Sequence, residues 1–212
     1  AAAEIALLRC KELMASGAAG LSCTVAGILL FGKQPNRFLP QAGIDAVCYP
    51  GRVPDYAAKE RIQVRGPMVA LRSRGRLVEN GLVEESIAFL KRNIPDVTEL
   101  EDHVRRVVCE GFPGEVIREA IVNALVHRDY LLSATDIQFS IFDDRIEIVS
   151  PGRVPNGITP ERMVVGCRAA RNQLIKDVMR DYGYLEHMGM GIPRKIIAGI
   201  KAFNASEPQL VE

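Results

Sequence analysis

The chain has 212 residues, 48% hydrophobic and 25% charged, with a formal net charge of +1. That is enough apolar material for a core and excludes a disordered chain, while the near-neutral charge gives no general attraction to nucleic acid or membrane. No apolar run reaches the ~20 residues of a membrane-spanning helix, and Arg9, Lys11 and Glu12 interrupt the stretch where a signal peptide would lie.

In chain order, residues 4–14 read as a helix broken by Gly17 and Gly20, and residues 24–31 as a second short helix closed by Gly32. Residues 44–49 read as a strand ended by Pro50-Gly51, with residues 61–65 as its partner. Residues 82–94 form a helix by the spacing of Val83, Ile87 and Leu90, stopped by Pro95. A soft boundary at 95–101 divides an N-terminal α/β lobe, 1–95, from a second unit, 96–212. There, 104–109 reads as a strand and 113–127 as a helix. Ile137, Phe139 and Ile141 alternate, as do Ile146 and Ile148, with Asp143-Asp144 between them: a hairpin. Residues 173–181 and 193–203 read as helices.

Five spread cysteines (Cys10, Cys23, Cys48, Cys109, Cys167) with no Cys-x-x-Cys read as reduced cytoplasmic thiols, not a disulfide framework or zinc site. Tryptophan is absent and aromatics are 6%, which speaks against a base-stacking surface. Residues 51–76 are locally basic: Arg52, Lys59, Arg61, Arg65, Arg72, Arg74 and Arg76 face only Asp55 and Glu60. A solvated face is the commoner reading of such a run, and direct DNA contact the rarer one, testable by salt-dependent binding.

The helix at 113–127 carries the functional argument. Residues four apart on a helix lie nearly above one another. Ile117, Ala120, Ile121, Ala124 and Leu125 form a core stripe, while Glu119, Asn123 and His127 form a polar row with Val116, Ala120, Val122 and Val126 beside it. A polar row amid apolar neighbours needs partners. It is either a set of satisfied buried hydrogen bonds or the floor of a cleft that meets a polar ligand.

The spacing Glu119-x-x-x-Asn123-Ala124-x-x-His127 resembles the N-box helix of the GHKL ATPases. The longer string is similar to the C-terminal region of bacterial and archaeal proteins labelled RecG-like ATP-dependent helicases or transcriptional regulators: residues 118–130, 141–148, Ser150-Pro151-Gly152, Arg171-Asn172, residues 183–186, and Gly189-Met190-Gly191. Residues 24–33 and 35–38 look like the same family's middle segment. The resemblance implies an α/β (α+β) fold: a mixed sheet with helices on one face, GHKL-like in the second half. It implies ATP and magnesium as cofactors, with Glu119 as general base and Asn123 as magnesium ligand. His127 or Arg128 would contact phosphate. Ser150 and Gly152 would stand at the nucleotide box, Gly189 and Gly191 would shape the phosphate site, and Arg168 and Arg171 would reach in from a lid. Family members carry an N-terminal Schlafen-type AlbA domain, proposed to bind DNA, and many continue into a winged helix. Neither is recognisable here, so the sequence reads as the central part of a longer, cytoplasmic protein, a candidate homodimer that meets DNA through a flanking domain and does not engage membranes.

The sequence departs from the family pattern at one place. The Asp of the GHKL Asp-x-Gly-x-Gly box, which holds the adenine amino group, is replaced by Ser150 in Ser150-Pro151-Gly152. The expectation is therefore a nucleotide-binding, ATP-hydrolysing module of a DNA-associated regulator. The alternative is a degenerate GHKL-like scaffold for dimerisation or effector sensing. Two other motifs are false friends. Gly27-x-x-x-x-Gly32-Lys33 lacks the Ser/Thr of a P-loop, so no helicase motor is expected. His127-Arg128-Asp129 lacks the Asn that a kinase loop needs, with Ala134 in its place.

Overall fold

A computed structural model describes residues 11–17, 20–101, 105–109, 111–133, 135–154, 158–166, 170–185 and 190–212, with 97–101 and 105–109 described by their backbone. The first described elements are an antiparallel hairpin, β1 (Met14–Gly17) and β2 (Gly20–Cys23). This corrects the helix expected over 4–14 at its end: Met14 is a strand residue, and Gly17 and Gly20 pair across the hairpin instead of ending a helix. The rest of that helix, residues 4–10, lies outside the described residues.

Helix α1 (Val25–Phe31) begins where Thr24 caps it, its side-chain oxygen accepting from Gly27 N at 3.1 Å. Strands β3 (Ile44–Cys48) and β4 (Glu60–Val64) follow as expected and pair antiparallel. A short ribbon not anticipated from the sequence, β5 (Leu71–Ser73) and β6 (Arg76–Glu79), precedes helix α2 (Leu82–Asn93). Strand β7 (Val97–Glu101) falls on the presumed boundary and pairs antiparallel with the expected strand β8 (Arg105–Cys109). Helix α3 (Gly114–His127) and the hairpin β9 (Ile137–Ile141) and β10 (Ile146–Val149) match the sequence reading. A short helix α4 (Pro160–Val165) was not foreseen, whereas α5 (Gln173–Asp181) was. The last expected helix begins two residues early, as a wide π turn over Gly191–Ile197, and continues as α6 (Ala198–Asn204). Pro193, which has no N–H to donate, sits inside that wide turn.

The main sheet is mixed, in the order β10-β9-β3-β4. β3 and β9 are parallel, with Ala46 opposite Phe139, and the flanking pairs are antiparallel. The strand periodicity of two sorts the faces. Ile44, Ala46, Cys48, Ile137, Phe139 and Ile141 are buried on one side, under α2 and α3. Phe89 of α2 meets Phe139 edge-on at 5.5 Å between ring centroids. The other face presents Asp45, Gln63, Gln138, Ser140 and Glu147, half-buried or exposed. The architecture is thus two-layered, with helices on one face of a mixed sheet.

Two of the four strands lie before residue 95 and two after it. One buried cluster likewise unites Leu29, Leu30, Ile44 and Phe89 with Ile121, Phe139 and Met179. The N-terminal segment therefore extends the same sheet. Phe139→Ala should cost about 3–5 kcal/mol of unfolding free energy, as expected for a deleted core aromatic. The shared sheet further predicts one transition in urea, seen at the same midpoint by far-UV circular dichroism and tyrosine fluorescence. Two separated transitions would mean that 1–95 and 96–212 unfold independently.

Candidate functional site

Helix α3 is fixed by its apolar stripe. Ile117, Ile121, Ala124 and Leu125 are buried in the common core, leaving the Glu119–Asn123–His127 row on another side. Glu119 is nonetheless buried, only 4% exposed, and Asn123 and His127 are half-buried. The Glu119 end of the row is covered by the segment at 191–204.

The Glu119 carboxylate is the centre of the cluster. Asn123 Nδ2 donates to Glu119 Oε1 at 3.0 Å and to the Glu119 carbonyl at 2.8 Å. Lys195 Nζ lies 3.8 Å from Glu119 Oε2. Gly191 packs directly on the carboxylate: a Cβ there would stand 1.8 Å from Glu119 Oε1. Gly199, two helical turns further on, packs against Val116 in the same way, with its Cβ position 2.5 Å from Val116 Cγ2. These two glycines let the 191–204 segment close on α3. The sequence reading found Gly191 but not Lys195, whose signal is its place one turn after that glycine.

At the other end of the row, burial and then the positive charges of Lys176 and Arg171 hold the His127 imidazole below its ordinary value near 6.5. A neutral ring offers a phosphate a hydrogen bond but no charge. Arg128, expected beside it as an alternative phosphate contact, is placed elsewhere. It is fully buried, and its Nη2 donates to the carbonyls of Leu132 at 2.9 Å and Thr135 at 2.5 Å. The reason is angular: one residue on from His127 the helix has turned by about 100°, which carries Arg128 off the row and into the core.

Ser150 Oγ donates to the Ala124 carbonyl at 2.8 Å, tying the end of β10 to α3. Gly152, at φ 117°, approaches Asp129 so closely that a Cβ would stand 2.6 Å from Asp129 Cβ. Arg171 pairs with Asp129 at 3.1 Å and donates to the Arg153 carbonyl at 2.5 Å. Asn172 Nδ2 donates at 2.8 Å to both the Val126 and Arg128 carbonyls, which the end of α3 leaves without helical partners. Asp129 and Asn172 were visible in the sequence only as parts of longer strings with no assigned role. With Gly152, Arg153, Leu132 and Glu212, the Asp129–Arg171 pair lines an open cavity of about 540 Å³. The structure thus brings Glu119, Asn123 and Gly191 into one cluster and joins Gly152 and Arg171 in a second, at the C-terminal end of α3. Gly189 and Arg168 lie outside the described residues.

The chemistry of the central cluster fits a hard cation bridged to phosphates. Magnesium keeps most of its waters and takes one or two protein oxygens besides phosphate, and Asn123 offers an amide oxygen. No group of three or more His, Cys, Asp or Glu among the described residues could form an all-protein metal cage. The adenine end fits less well, since Ser150 stands at the carboxylate position with its hydroxyl already bonded to Ala124.

Residues 134–212 match the family model described as "Putative ATP-dependent DNA helicase recG C-terminal", so this stretch is similar to a RecG-like ATPase-type region. The match begins after α3, and therefore leaves Glu119 and Asn123 outside it. No curated protein matches the chain. The fold is similar to the crystal structure of the DIP2311 protein from Corynebacterium diphtheriae, with a TM-score of 0.71 and 23% identity. That likeness covers 95% of this chain and 37% of the other, so this chain spans little more than a third of that protein's length. No helix among the described residues is long and apolar enough to cross a membrane.

Two outcomes follow from the cluster. Gly191→Ala should destabilise the chain by about 1–3 kcal/mol through overpacking, and Glu119→Ala made beside it should recover most of that loss in urea midpoints. Strictly additive losses would mean that the two residues do not touch. For His127, the unfolded ring takes up its proton near 6.5 and the folded ring only at lower pH. The unfolded state then binds more protons in between, and stability falls as pH drops below about 6.5. His127→Gln should flatten that part of the stability profile, and an unchanged slope would assign it to other groups.

Proposed function

We propose that the chain binds a nucleoside triphosphate with magnesium over the Glu119–Asn123 row, as the ATPase-type module of a DNA-associated regulator. The observation that carries this reading is the contact of Gly191 with Glu119. A glycine turn and a polar helix row, more than 70 residues apart in sequence, converge on one carboxylate. In this reading Asn123 would hold the cation, which would supply charge neutralisation beside the phosphates. Glu119 takes the proton of the attacking water. The Lys195 ammonium and the backbone around Gly191 face the phosphates, and neutral His127 supplies a hydrogen bond. The DNA association draws support from the words of the matching family description.

A second reading, a scaffold without nucleotide, is favoured by Ser150. With no carboxylate at that position and its hydroxyl committed to Ala124, nothing there selects adenine as the GHKL box would.

Calorimetric titration separates the two. The nucleotide reading expects saturable binding of magnesium–ATP that Asn123→Ala weakens at least ~10-fold, the scale of one lost charge-assisted contact. The missing carboxylate adds that magnesium–GTP should bind within ~10-fold of ATP. A folded protein that takes up neither nucleotide would establish the scaffold reading.

A further inference from the structure

The basic run at 51–76 is not one surface. Three of its seven cations are neutralised by acids of the second half: Arg52 lies 3.7 Å from Asp144, Lys59 3.2 Å from Asp143, and Arg65 2.8 Å from Asp136. Glu60, one of the run's two acids, is taken by Arg92 at 2.8 Å. What remains without a carboxylate partner among the described residues is Arg61 on β4 and Arg72, Arg74 and Arg76. Those last three all belong to the β5–β6 ribbon, and all are exposed.

The ribbon's geometry distributes them. Among the described residues it forms a two-stranded sheet of its own, paired with no other strand. Arg72 lies opposite Leu77 and Ser73 opposite Arg76. Successive side chains alternate faces, so Arg72 and Arg76 point to opposite sides. Arg74 and Gly75 make the tip, with φ of 49° and 79°, the signs of a type I′ turn. Its first central position favours Asn, Asp or Gly, yet here an arginine is held in the left-handed region. The base is anchored. Ala70 N donates to Tyr184 Oη at 3.0 Å, Tyr184 Oη donates to Glu84 Oε1 at 2.6 Å, and Glu84 Oε2 accepts from Gly81 N at 3.0 Å.

We propose that the β5–β6 ribbon is a duplex-DNA contact of this chain, with Arg72 and Arg76 reaching the two phosphate walls of a groove and Arg74 entering it. A flat anionic surface meets one face of a protein; a groove meets both faces and the tip of what enters it. The major groove of B-form DNA is about 12 Å wide and admits a two-stranded ribbon, whereas the major groove of duplex RNA is too deep and narrow for side chains to read. Guanidinium groups suit phosphate, which they bind through two parallel hydrogen bonds. The proposal is independent of the nucleotide site and places DNA contact within this chain, in addition to any flanking domain.

The test is fluorescence anisotropy of a labelled 20-base-pair DNA duplex, titrated with the 212-residue protein without nucleotide over a range of salt. Binding should weaken with salt, and the combined Arg72→Ala, Arg74→Ala and Arg76→Ala variant should lose ~2 from the log–log salt slope, since each of the two phosphate contacts adds ~0.9. Its affinity near 0.1 M salt should fall at least ~10-fold, while its thermal melt, which reads the core, stays unchanged. Arg61→Ala, removing the other unpartnered arginine of the run, should leave the slope intact. Failure of the unaltered protein to bind the duplex would overturn the proposal. So would an equal loss on Arg61→Ala, an unchanged slope in the triple variant, or stronger ribbon-dependent binding to phosphatidylserine vesicles or duplex RNA than to DNA.

Discussion

The parallel pairing of β3 with β9 is the constraint on which the rest depends. Parallel strands cannot be joined by a tight turn, so once β4 has paired with β3 the chain between Val64 and Ile137 must leave the sheet and return. In doing so it lays α2 and α3 over the buried face, where Phe89, Ile121 and Leu125 pack above Ala46 and Phe139. Once the apolar stripe of α3 is committed downward, its polar row must look elsewhere. The 191–204 segment closes over it through glycines that present backbone where any side chain would collide. The candidate site is therefore a consequence of sheet topology: a helix buried on two sides, one against the sheet and one against a glycine-bearing segment.

The same pairing sorts charge. Placing β9 beside β3 brings Asp136, at the entrance of β9, against Arg65, at the exit of β4. It also brings Asp143 and Asp144, in the β9–β10 turn, against Lys59 and Arg52. Asp45 is drawn into this arrangement. Burial first, and the neighbouring Asp136 charge next, push its carboxyl above the usual range, while Arg65 pulls it down. The two exposed pairs, Lys59–Asp143 and Arg52–Asp144, contribute little to stability. Their larger effect is to cancel field, leaving the positive charge of the run concentrated where no acid follows, on the β5–β6 ribbon.

The sequence made legible whatever local periodicity controls. The alternation through Ile137, Phe139 and Ile141, the helical row of Glu119, Asn123 and His127, and the Thr24 and Gly32 limits of α1 all stand where pattern put them. Residue patterns misled where the determinant was a partner. Gly17 and Gly20 read as helix breakers, but cross-strand pairing made them the close of a hairpin. The β5–β6 ribbon that carries Arg72 and Arg76 was not foreseen, because a three-residue strand with charged side chains carries no apolar alternation. Arg128 looked equivalent to its neighbour His127, yet the turn of the helix buried it against the carbonyls of Leu132 and Thr135. The roles of Lys195 and Asn172 went unread for a related reason: each acts on a group distant in sequence, Glu119 in one case and the end of α3 in the other.

The Asn123 amide shows how a structural bond and a ligand site can be the same object. Its nitrogen is held twice by Glu119, through the carboxylate and through the backbone carbonyl one turn earlier. An amide so held cannot flip without losing both bonds, and its oxygen is thereby fixed on the opposite side of the group. A metal-binding amide needs that kind of orientation, which is ordinarily supplied by a neighbour that does not itself touch the ligand. The two readings left open by the polar row in isolation, satisfied hydrogen bonds or a ligand-facing floor, are therefore not exclusive. Satisfying the donor end of Asn123 is what would prepare its acceptor end. Lys195, 3.8 Å from the same carboxylate, completes the balance by offsetting the buried negative charge of Glu119.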